Sequence, residues 1–214
     1  MITLSRLIAL LQVDSTVGDL DGNANRIESL SQLALDNGAS LAVSTELAIS
    51  GYPPRDLLLQ PDFVKMAQQK ASTLSVKIPV LVGTPVVPDG ERQLPANGVI
   101  RAGPLSSHPN GKQTNRVVAR KQLLPSYDVF DETRYFQASN RSGICRTIGD
   151  LDLGVTVCED AWQAAGMTPS EYGVDPIENL AEWGRQGVEL DVTVNLSASP
   201  YHADKVGTRI QVCR

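Results

Sequence analysis

The stretch GVTVCEDAW, residues 154–162, decides how the chain is interpreted. Its first four residues form a short apolar run with two valines, which is typical of a buried β-strand. Cys158 follows this strand directly and opens a polar segment, so the sequence predicts a thiol held where a strand turns into a loop. Because ligands of open α/β proteins bind beyond the carboxyl ends of the strands, we expect Cys158 to face a binding site.

The rest of the chain alternates predicted strands with predicted helices before two hairpins intervene. Strands are predicted at residues 7–13, 41–43, 78–83, 97–101, 116–119, 143–148, 151–157 and 190–196. Helices are predicted from an N-cap within residues 21–23 to a stop at residues 37–38, and at residues 61–74, 176–186 and 205–214. Turns at residues 108–111 and 149–150 would join the two antiparallel pairs. This order predicts an α/β sandwich with a mixed sheet whose faces are covered by helices.

The composition is that of an ordinary globular protein. The chain has 214 residues, enough for one large domain or at most two small ones. Of these residues, 42% are hydrophobic and 20% are charged. A formal net charge of −5 argues against nucleic acid or an anionic membrane surface as the main partner. No apolar run approaches the roughly 18 residues that span a bilayer. The three cysteines lack metal-ligand spacing and there are only two histidines, so the sequence offers few ligands for a metal site. The odd number of cysteines indicates free thiols in a reducing cytoplasm.

Two further segments carry side chains that a nucleophilic cysteine needs. Glu46 lies in TELAISGYPPRDLL (45–58), where it is either a solvated loop glutamate, the commonest case, or a general base among apolar neighbours. Lys121 ends a strand and begins the apolar loop of RKQLLPSYDVFDETRYF (120–136), where it is either a surface lysine or a cation that stabilises an oxyanion.

Cys158 by itself is more often a buried structural thiol than a nucleophile, and Cys145 and Cys213 are assigned to that structural class. A nearby carboxylate and ammonium would lower the thiol pKa of Cys158 below its ordinary value of about 8.5. The backbone N–H of Glu159 could then complete an oxyanion hole.

Four longer segments carry a family resemblance: GYPPRDLLLQPDF (51–63), LPSYDVFDETRYF (124–136), CEDAW (158–162) and NLSASPYHADK (195–205). Through them the chain resembles the carbon–nitrogen hydrolase (nitrilase) superfamily over essentially all of its length. Within that superfamily it is most similar to the N-terminal glutaminase domain of glutamine-dependent NAD+ synthetases. The resemblance implies a nitrilase-like α-β-β-α sandwich with mixed sheets. It also implies that residues 1–214 form one domain that is C-terminally truncated.

The resemblance implies roles for individual residues. Glu46 would be the proton acceptor, Lys121 the oxyanion-stabilising cation and Cys158 the nucleophile. Glu132 would be a second acidic residue that orients the lysine and the substrate. Three further positions match residues that bind L-glutamine, namely Tyr127, Ser199 and Lys205.

Several of these residues also have a plain structural interpretation. Glu132 could be a helix-cap or surface carboxylate. Ser199 with Pro200 could simply form a turn, and Lys205 could be a solvated helix residue. Without the resemblance, these interpretations would be preferred.

The implied reaction is hydrolysis of glutamine through a cysteine thioester, with ammonia passed to a synthetase domain that amidates deamido-NAD+. No phosphate loop of the SGGxDS kind occurs in the sequence. We therefore expect no cofactor in this chain, and ATP, Mg and deamido-NAD+ only at the synthetase domain, normally part of the same polypeptide. Self-association into a homo-oligomer is expected as well.

Two alternatives stay open. The chain could be a free-standing nitrilase-type amidase that acts on another small amide, or a catalytically silent assembly domain. The simultaneous presence of Glu46, Lys121 and Cys158 argues against the silent domain.

Overall fold

Eight strands form two sheets in the computed structural model, which describes residues 7–87, 90, 93–104, 116–141, 143–148, 151–169 and 171–213. The first sheet contains, in spatial order, β1 (Leu7–Leu10), β2 (Ala39–Val43), β3 (Val80–Val86), β4 (Ala96–Ala102) and β5 (Arg116–Arg120). The second contains β6 (Gly143–Ile148), β7 (Leu151–Val157) and β8 (Val192–Leu196).

Within the described ranges, four helices accompany the sheets: α1 (Leu20–Asp36), α2 (Pro61–Ser72), α3 (Pro176–Arg185) and α4 (Lys205–Val212). Short 3-10 turns cover Arg55–Leu59, Glu132–Arg134 and Cys158–Ala161. None of the helices in the described part of the chain combines the length and the apolar character that crossing a membrane requires.

Both sheets mix parallel and antiparallel pairing. Strands β1, β2 and β3 run parallel, whereas β4 and β5 each pair antiparallel with the preceding strand. Parallel neighbours need a crossover connection, and α1 and α2 supply the two that this sheet requires. Strand β7 pairs antiparallel with β6 and parallel with β8, with α3 in the crossover. The two predicted antiparallel pairs are confirmed, while their turns at residues 108–111 and 149–150 lie outside the described residues.

The two sheets face each other across an apolar core. The first sheet contributes Leu41, Val43, Leu81, Val99 and Ala119, and the second contributes Leu153, Val155, Val157, Val194 and Leu196. Alternation along β7 turns Gly154 to the opposite face, where Leu180 of α3 packs against it. Helices α1 and α2 cover the outer face of the first sheet through residues such as Ile27 and Ala67. The layers therefore follow the order α-β-β-α that the family resemblance implies.

The predicted start of α1 is wrong by a few residues. Asp19 is the N-cap, and its Oδ1 accepts the backbone N–H of Gly22 at 2.8 Å. Asn23 is instead fully buried and donates its side-chain N–H groups to the carbonyls of Thr16 and Ile49, at 2.8 and 2.9 Å. Asn23 therefore serves as a buried hydrogen-bond donor to two loop carbonyls and not as the helix cap. The predicted stop is confirmed, because Gly38 adopts φ of 85° just after the helix.

Gly83 in β3 lies against the segment that follows β2. A Cβ atom on Gly83 would lie 2.6 Å from the backbone nitrogen of Leu47 and 2.9 Å from Cα of Glu46, closer than such atoms approach. The Gly83 N–H also donates to Oγ of Ser44 at 3.0 Å. A side chain at this position would therefore push the Glu46 segment away from the sheet.

We expect Gly83→Ala to lower the free energy of unfolding by about 1–3 kcal/mol, the usual effect of overpacking a dense interior. Gly184→Ala is the matched control, because Gly184 lies in α3 with open space around its Cα. Alanine at a helical glycine should raise stability by roughly 0.5–1 kcal/mol. Urea unfolding of both variants measures the difference, and equal midpoints would refute the close packing of Gly83.

Candidate active site

The three predicted catalytic residues lie beyond strand ends from both sheets. Glu46 follows β2, Lys121 directly follows β5, and Cys158 directly follows β7. Their exposed fractions are 2%, 0% and 4%, so all three are buried. Glu46 and Lys121 are in direct contact, and both influence the pKa of the Cys158 thiol, so the three side chains share one site.

The Lys121 ammonium is held between two carboxylates. Its Nζ lies 2.8 Å from Oε1 of Glu46 and 2.8 Å from Oε2 of Glu132. Burial alone would lower the pKa of Lys121, but Glu46, Cys158 and Glu132 together raise it well above its ordinary value. The surface-lysine interpretation is therefore wrong, and the site contains a permanent, desolvated positive charge.

Glu46 is fixed by more than the lysine. Its Oε1 also accepts a hydrogen bond from Nδ2 of Asn97 at 2.8 Å, and its Oε2 accepts the backbone N–H of Ala198 at 2.9 Å. Asn97 lies on β4, and Ala198 lies just beyond β8. Sequence reasoning missed both contacts, although a polar residue at the start of a predicted strand was a usable signal for Asn97. These contacts leave Glu46 immobile, as a positioned general base requires.

Glu132 is buried as well, with 5% of its surface exposed, and it is not a surface carboxylate. Its Oε1 accepts the hydroxyl hydrogen of Tyr52 at 3.0 Å. Burial raises the pKa of Glu132 to about 7, with Lys121 acting to lower it and Glu46 acting to raise it. Two carboxylates thus share one cation, and burial makes Glu132 easier to protonate than an ordinary glutamate.

The Cys158 backbone adopts φ of 47°, a left-handed conformation that residues with a side chain seldom occupy. Its carbonyl accepts Nδ2 of Asn195 at 3.2 Å. Cys158 is the first residue of the 3-10 turn Cys158–Ala161, so the chain leaves the extended conformation of β7 at the nucleophile. Strain of this kind concentrates at functional sites, where the surrounding structure must maintain it.

The expected lowering of the Cys158 pKa is wrong. Burial raises the pKa of the thiol, Glu46 raises it further, and Lys121 lowers it only in part. A hydrogen bond with Ser197, a residue that sequence reasoning did not single out, also acts to lower the pKa. Because burial and the nearby carboxylates together outweigh the single ammonium, the sulfur is a neutral thiol in the resting site and needs a base to remove its proton.

Glu159 contributes a carboxylate next to the nucleophile. Its Oε1 accepts hydroxyl hydrogens from Tyr127 at 2.8 Å and from Tyr172 at 3.3 Å. Burial raises the pKa of both tyrosines, followed by their interaction with Glu159, so they remain donors at neutral pH. The structure thus brings Tyr127 to the site and adds Tyr172, which had no sequence signal. The oxyanion role of the Glu159 N–H stays a prediction.

The two remaining predicted residues lie on the chain after β8. Nζ of Lys205, the first residue of α4, lies 5.1 Å from the centroid of the Trp162 ring. Trp162 ends the motif that begins with Cys158, so Lys205 contacts the segment that carries the nucleophile. Ser199 is half-buried, and its carbonyl accepts a hydrogen bond from Nη2 of Arg209 at 3.4 Å. Contact of either residue with a substrate stays a prediction.

A half-open cleft of about 100 Å³ lies beside the lysine network. Its wall includes Tyr52, Phe130, Glu132 and Phe136. Within the described ranges, no group of three or more His, Cys, Asp or Glu side chains is arranged to hold a metal ion.

Comparison with known proteins defines the class. A family model for carbon–nitrogen hydrolases matches residues 7–171. The match covers most of the chain, and the chain belongs to the carbon–nitrogen hydrolase family. Both the family resemblance and the fold expected from the sequence are thereby confirmed.

Within this family, the chain is similar in sequence to glutamine-dependent NAD(+) synthetases. The glutamine-dependent NAD(+) synthetase of Synechocystis sp. is 38% identical over 210 residues, which cover 92% of this chain and 35% of that protein. The enzyme of the same name from Thermotoga maritima is 34% identical over 203 residues, which cover 92% of this chain and 31% of that protein. The chain thus spans about a third of the length of these curated relatives.

Solved structures agree with the fold. The glutamine-dependent NAD+ synthetase from Acinetobacter baumannii, in complex with ADP, superposes with a TM-score of 0.71 at 26% identity, over 94% of this chain and 34% of that one. An amidase from Nesterenkonia sp. superposes with a TM-score of 0.66 at 20% identity, over 93% of this chain and 67% of that one. The second likeness concerns the fold alone.

We expect Lys121→Met to lower the free energy of unfolding by about 3–5 kcal/mol, because it leaves two buried carboxylates without their cation. Lys65→Met is the matched control, since Lys65 has 66% of its side chain exposed and lies 3.8 Å from Asp62. That surface change should stay within about 0.5 kcal/mol of the wild type. Denaturant unfolding decides, and a Lys121 variant as stable as the control would contradict the buried network.

Glu132 also generates a pH dependence of stability. Its folded pKa of about 7 exceeds the ordinary value of 4.5, so between these pH values the folded protein binds more protons than the unfolded chain. This contribution to the free energy of unfolding therefore falls as pH rises from about 4.5 to about 7, by roughly 3 kcal/mol in all. In Glu132→Gln that contribution should vanish, while Asp62→Asn controls for loss of an exposed carboxylate. The measurement is the unfolding midpoint of wild type and Glu132→Gln as a function of pH. If the two midpoints change in parallel, Glu132 makes no such contribution to the pH dependence of stability.

Proposed function

We propose that this chain is a glutaminase, in which Cys158 attacks the side-chain amide of L-glutamine and ammonia is released. One observation carries the proposal. A fully buried lysine, Lys121, is locked by Glu46 and Glu132 beside a buried cysteine at a strained strand end. Such a charge is expensive to bury, and a positioned cation is what a developing oxyanion needs.

The first half-reaction follows from the protonation states. The Cys158 thiol is neutral, so Glu46 removes its proton as Sγ bonds to the amide carbon. The carbonyl oxygen becomes an oxyanion, which the Lys121 ammonium and the Glu159 N–H stabilise. The carbon–nitrogen bond then breaks, and the nitrogen leaves as ammonia with the proton that Glu46 returns. A thioester on Cys158 remains.

The second half-reaction repeats the pattern with water. Glu46 removes a proton from a water molecule as its oxygen bonds to the thioester carbon. The carbon–sulfur bond breaks, and Glu46 returns the proton to the sulfur. Glutamate leaves, and the thiol is regenerated. One base thus serves both steps, which agrees with the hydrogen bonds that immobilise Glu46.

Charged groups around the nucleophile suit a free amino acid. The Glu159 carboxylate, with its two tyrosine hydroxyls, offers acceptors for the α-ammonium of glutamine. Lys205 offers a cation for the α-carboxylate, and Ser199 a further hydrogen-bonding group. A simple aliphatic amide carries neither charge, so these groups favour glutamine over other small amides.

The relatives suggest where the ammonia goes. Because they are glutamine-dependent NAD(+) synthetases about three times as long as this chain, we propose that a synthetase domain uses the ammonia to amidate deamido-NAD+. ATP and Mg would be required at that domain and not at the site described above. A reactive thiol fits the reducing cytoplasm, which we propose as the compartment. Homo-oligomer formation stays a prediction.

Ammonia release and covalent labelling test the function together. We expect release from L-glutamine, no release by Cys158→Ala, and turnover lowered by roughly 10²–10⁴-fold in Glu46→Gln, the range of general base catalysis. A glutamine-like electrophile should label Cys158 in peptide mass spectrometry. Cys213 is exposed, so its assignment to the buried structural thiols is wrong. Cys213→Ala should therefore label at Cys158 and turn over as the wild type does.

Each outcome separates a different hypothesis. Turnover of short aliphatic amides in preference to glutamine would favour the amidase alternative. No labelling of Cys158 in a folded sample would favour the silent domain. Near-normal turnover of Glu46→Gln would remove the base from the mechanism.

A further inference from the structure

Asp160 has no assigned role, yet it is among the most buried charged residues of the site, with 1% of its surface exposed. Its Oδ1 accepts the backbone N–H groups of Gln122 and Leu123, both at 2.9 Å. Its Oδ2 accepts the backbone N–H of Val157 at 3.0 Å. One carboxylate therefore binds three main-chain donors in two separate segments.

These segments are the ones that carry the reacting groups. Gln122 and Leu123 directly follow Lys121 at the end of β5, in the first sheet. Val157 directly precedes Cys158 at the end of β7, in the second sheet. Asp160 thus joins the backbone beside the cation to the backbone beside the nucleophile.

We infer that Asp160 is a positioning residue, which sets the separation and orientation of the Lys121 ammonium and the Cys158 sulfur across the two sheets. This inference deepens the proposed function and rests on it. The oxyanion forms on the carbon attacked by Cys158, so a shift of Lys121 relative to that carbon weakens the transition state more than the ground state. A misplacement of about 1 Å can lower a rate about 100-fold.

Only a carboxylate can make this link. Two acceptor oxygens are required, because donors approach both sides of the side chain. An asparagine of the same shape has one acceptor and one donor group, so it can satisfy either the Gln122 and Leu123 pair or Val157. Burial raises the pKa of Asp160 to about 6, whereas the three N–H groups and Lys121 act to lower it. The site thus keeps a charge that burial disfavours, in agreement with a requirement for two acceptors.

Asp160→Asn tests the inference, with Asp175→Asn as the matched control. Asp175 also accepts two backbone N–H groups, from Ile177 and Glu178 at 3.0 and 3.1 Å, but at the start of α3. We expect kcat to fall about 100-fold in Asp160→Asn while KM changes less than about threefold. Asp175→Asn should keep both constants within about twofold of the wild type. A kcat for Asp160→Asn within threefold of the control, or a loss confined to KM, would overturn the inference.

Failure of the proposed function is distinguishable from failure of this inference. If the wild type hydrolyses another primary amide and not glutamine, the glutaminase proposal fails, and the same kcat comparison is made on that amide. If Asp160→Asn does not fold, or no amide is turned over, nuclear magnetic resonance of the wild type decides. The amide protons of Gln122, Leu123 and Val157 should then titrate with one common midpoint, since they share one carboxylate. Three unrelated midpoints would end the inference.

Discussion

The desolvated ammonium of Lys121 is the constraint on which the rest of the site depends. Removing such an ion from water costs several kcal/mol, and only a close, well-oriented opposite charge offsets this. Glu46 and Glu132 meet the requirement from two different loops, at 2.8 Å each. The fold must therefore hold the loops after β2 and β5 together, which the parallel and antiparallel strands between them do.

A second carboxylate has a chemical consequence as well as a structural one. Burial, together with Glu46 and Glu132, outweighs the Lys121 ammonium in its effect on the pKa of Cys158, and the thiol keeps its proton. The site therefore contrasts with cysteine sites that store a thiolate beside a cation. Proton removal becomes coupled to attack on the substrate, which reserves the nucleophile for a molecule that fits the site.

The sequence predicts the scaffold of this site better than its contacts. A short apolar run before Cys158 and another before Lys121 define strand ends, because the strand period and the polar break are local properties. The contacts of Asn97 and Ala198 with Glu46 depend on which strands become neighbours, over separations of 51 and 152 residues. The pKa of the Cys158 thiol was predicted in the wrong direction for a related reason. It depends on burial and on the number of nearby charges, and a local sequence pattern contains neither.

The reacting groups belong to opposite sheets, so the packing between the sheets enters the chemistry. At the seam, a Cβ on Gly143 of β6 would overlap the Ala119 side chain of β5 and approach the Val155 carbonyl of β7. Lys121 lies two residues beyond Ala119, and Cys158 lies three residues beyond Val155. The same close approach that fills the core therefore contributes to the distance between the ammonium and the sulfur, in addition to the link through Asp160. A change that widens the seam acts on the transition state without touching a reacting atom, because dense interiors transmit displacement and do not absorb it.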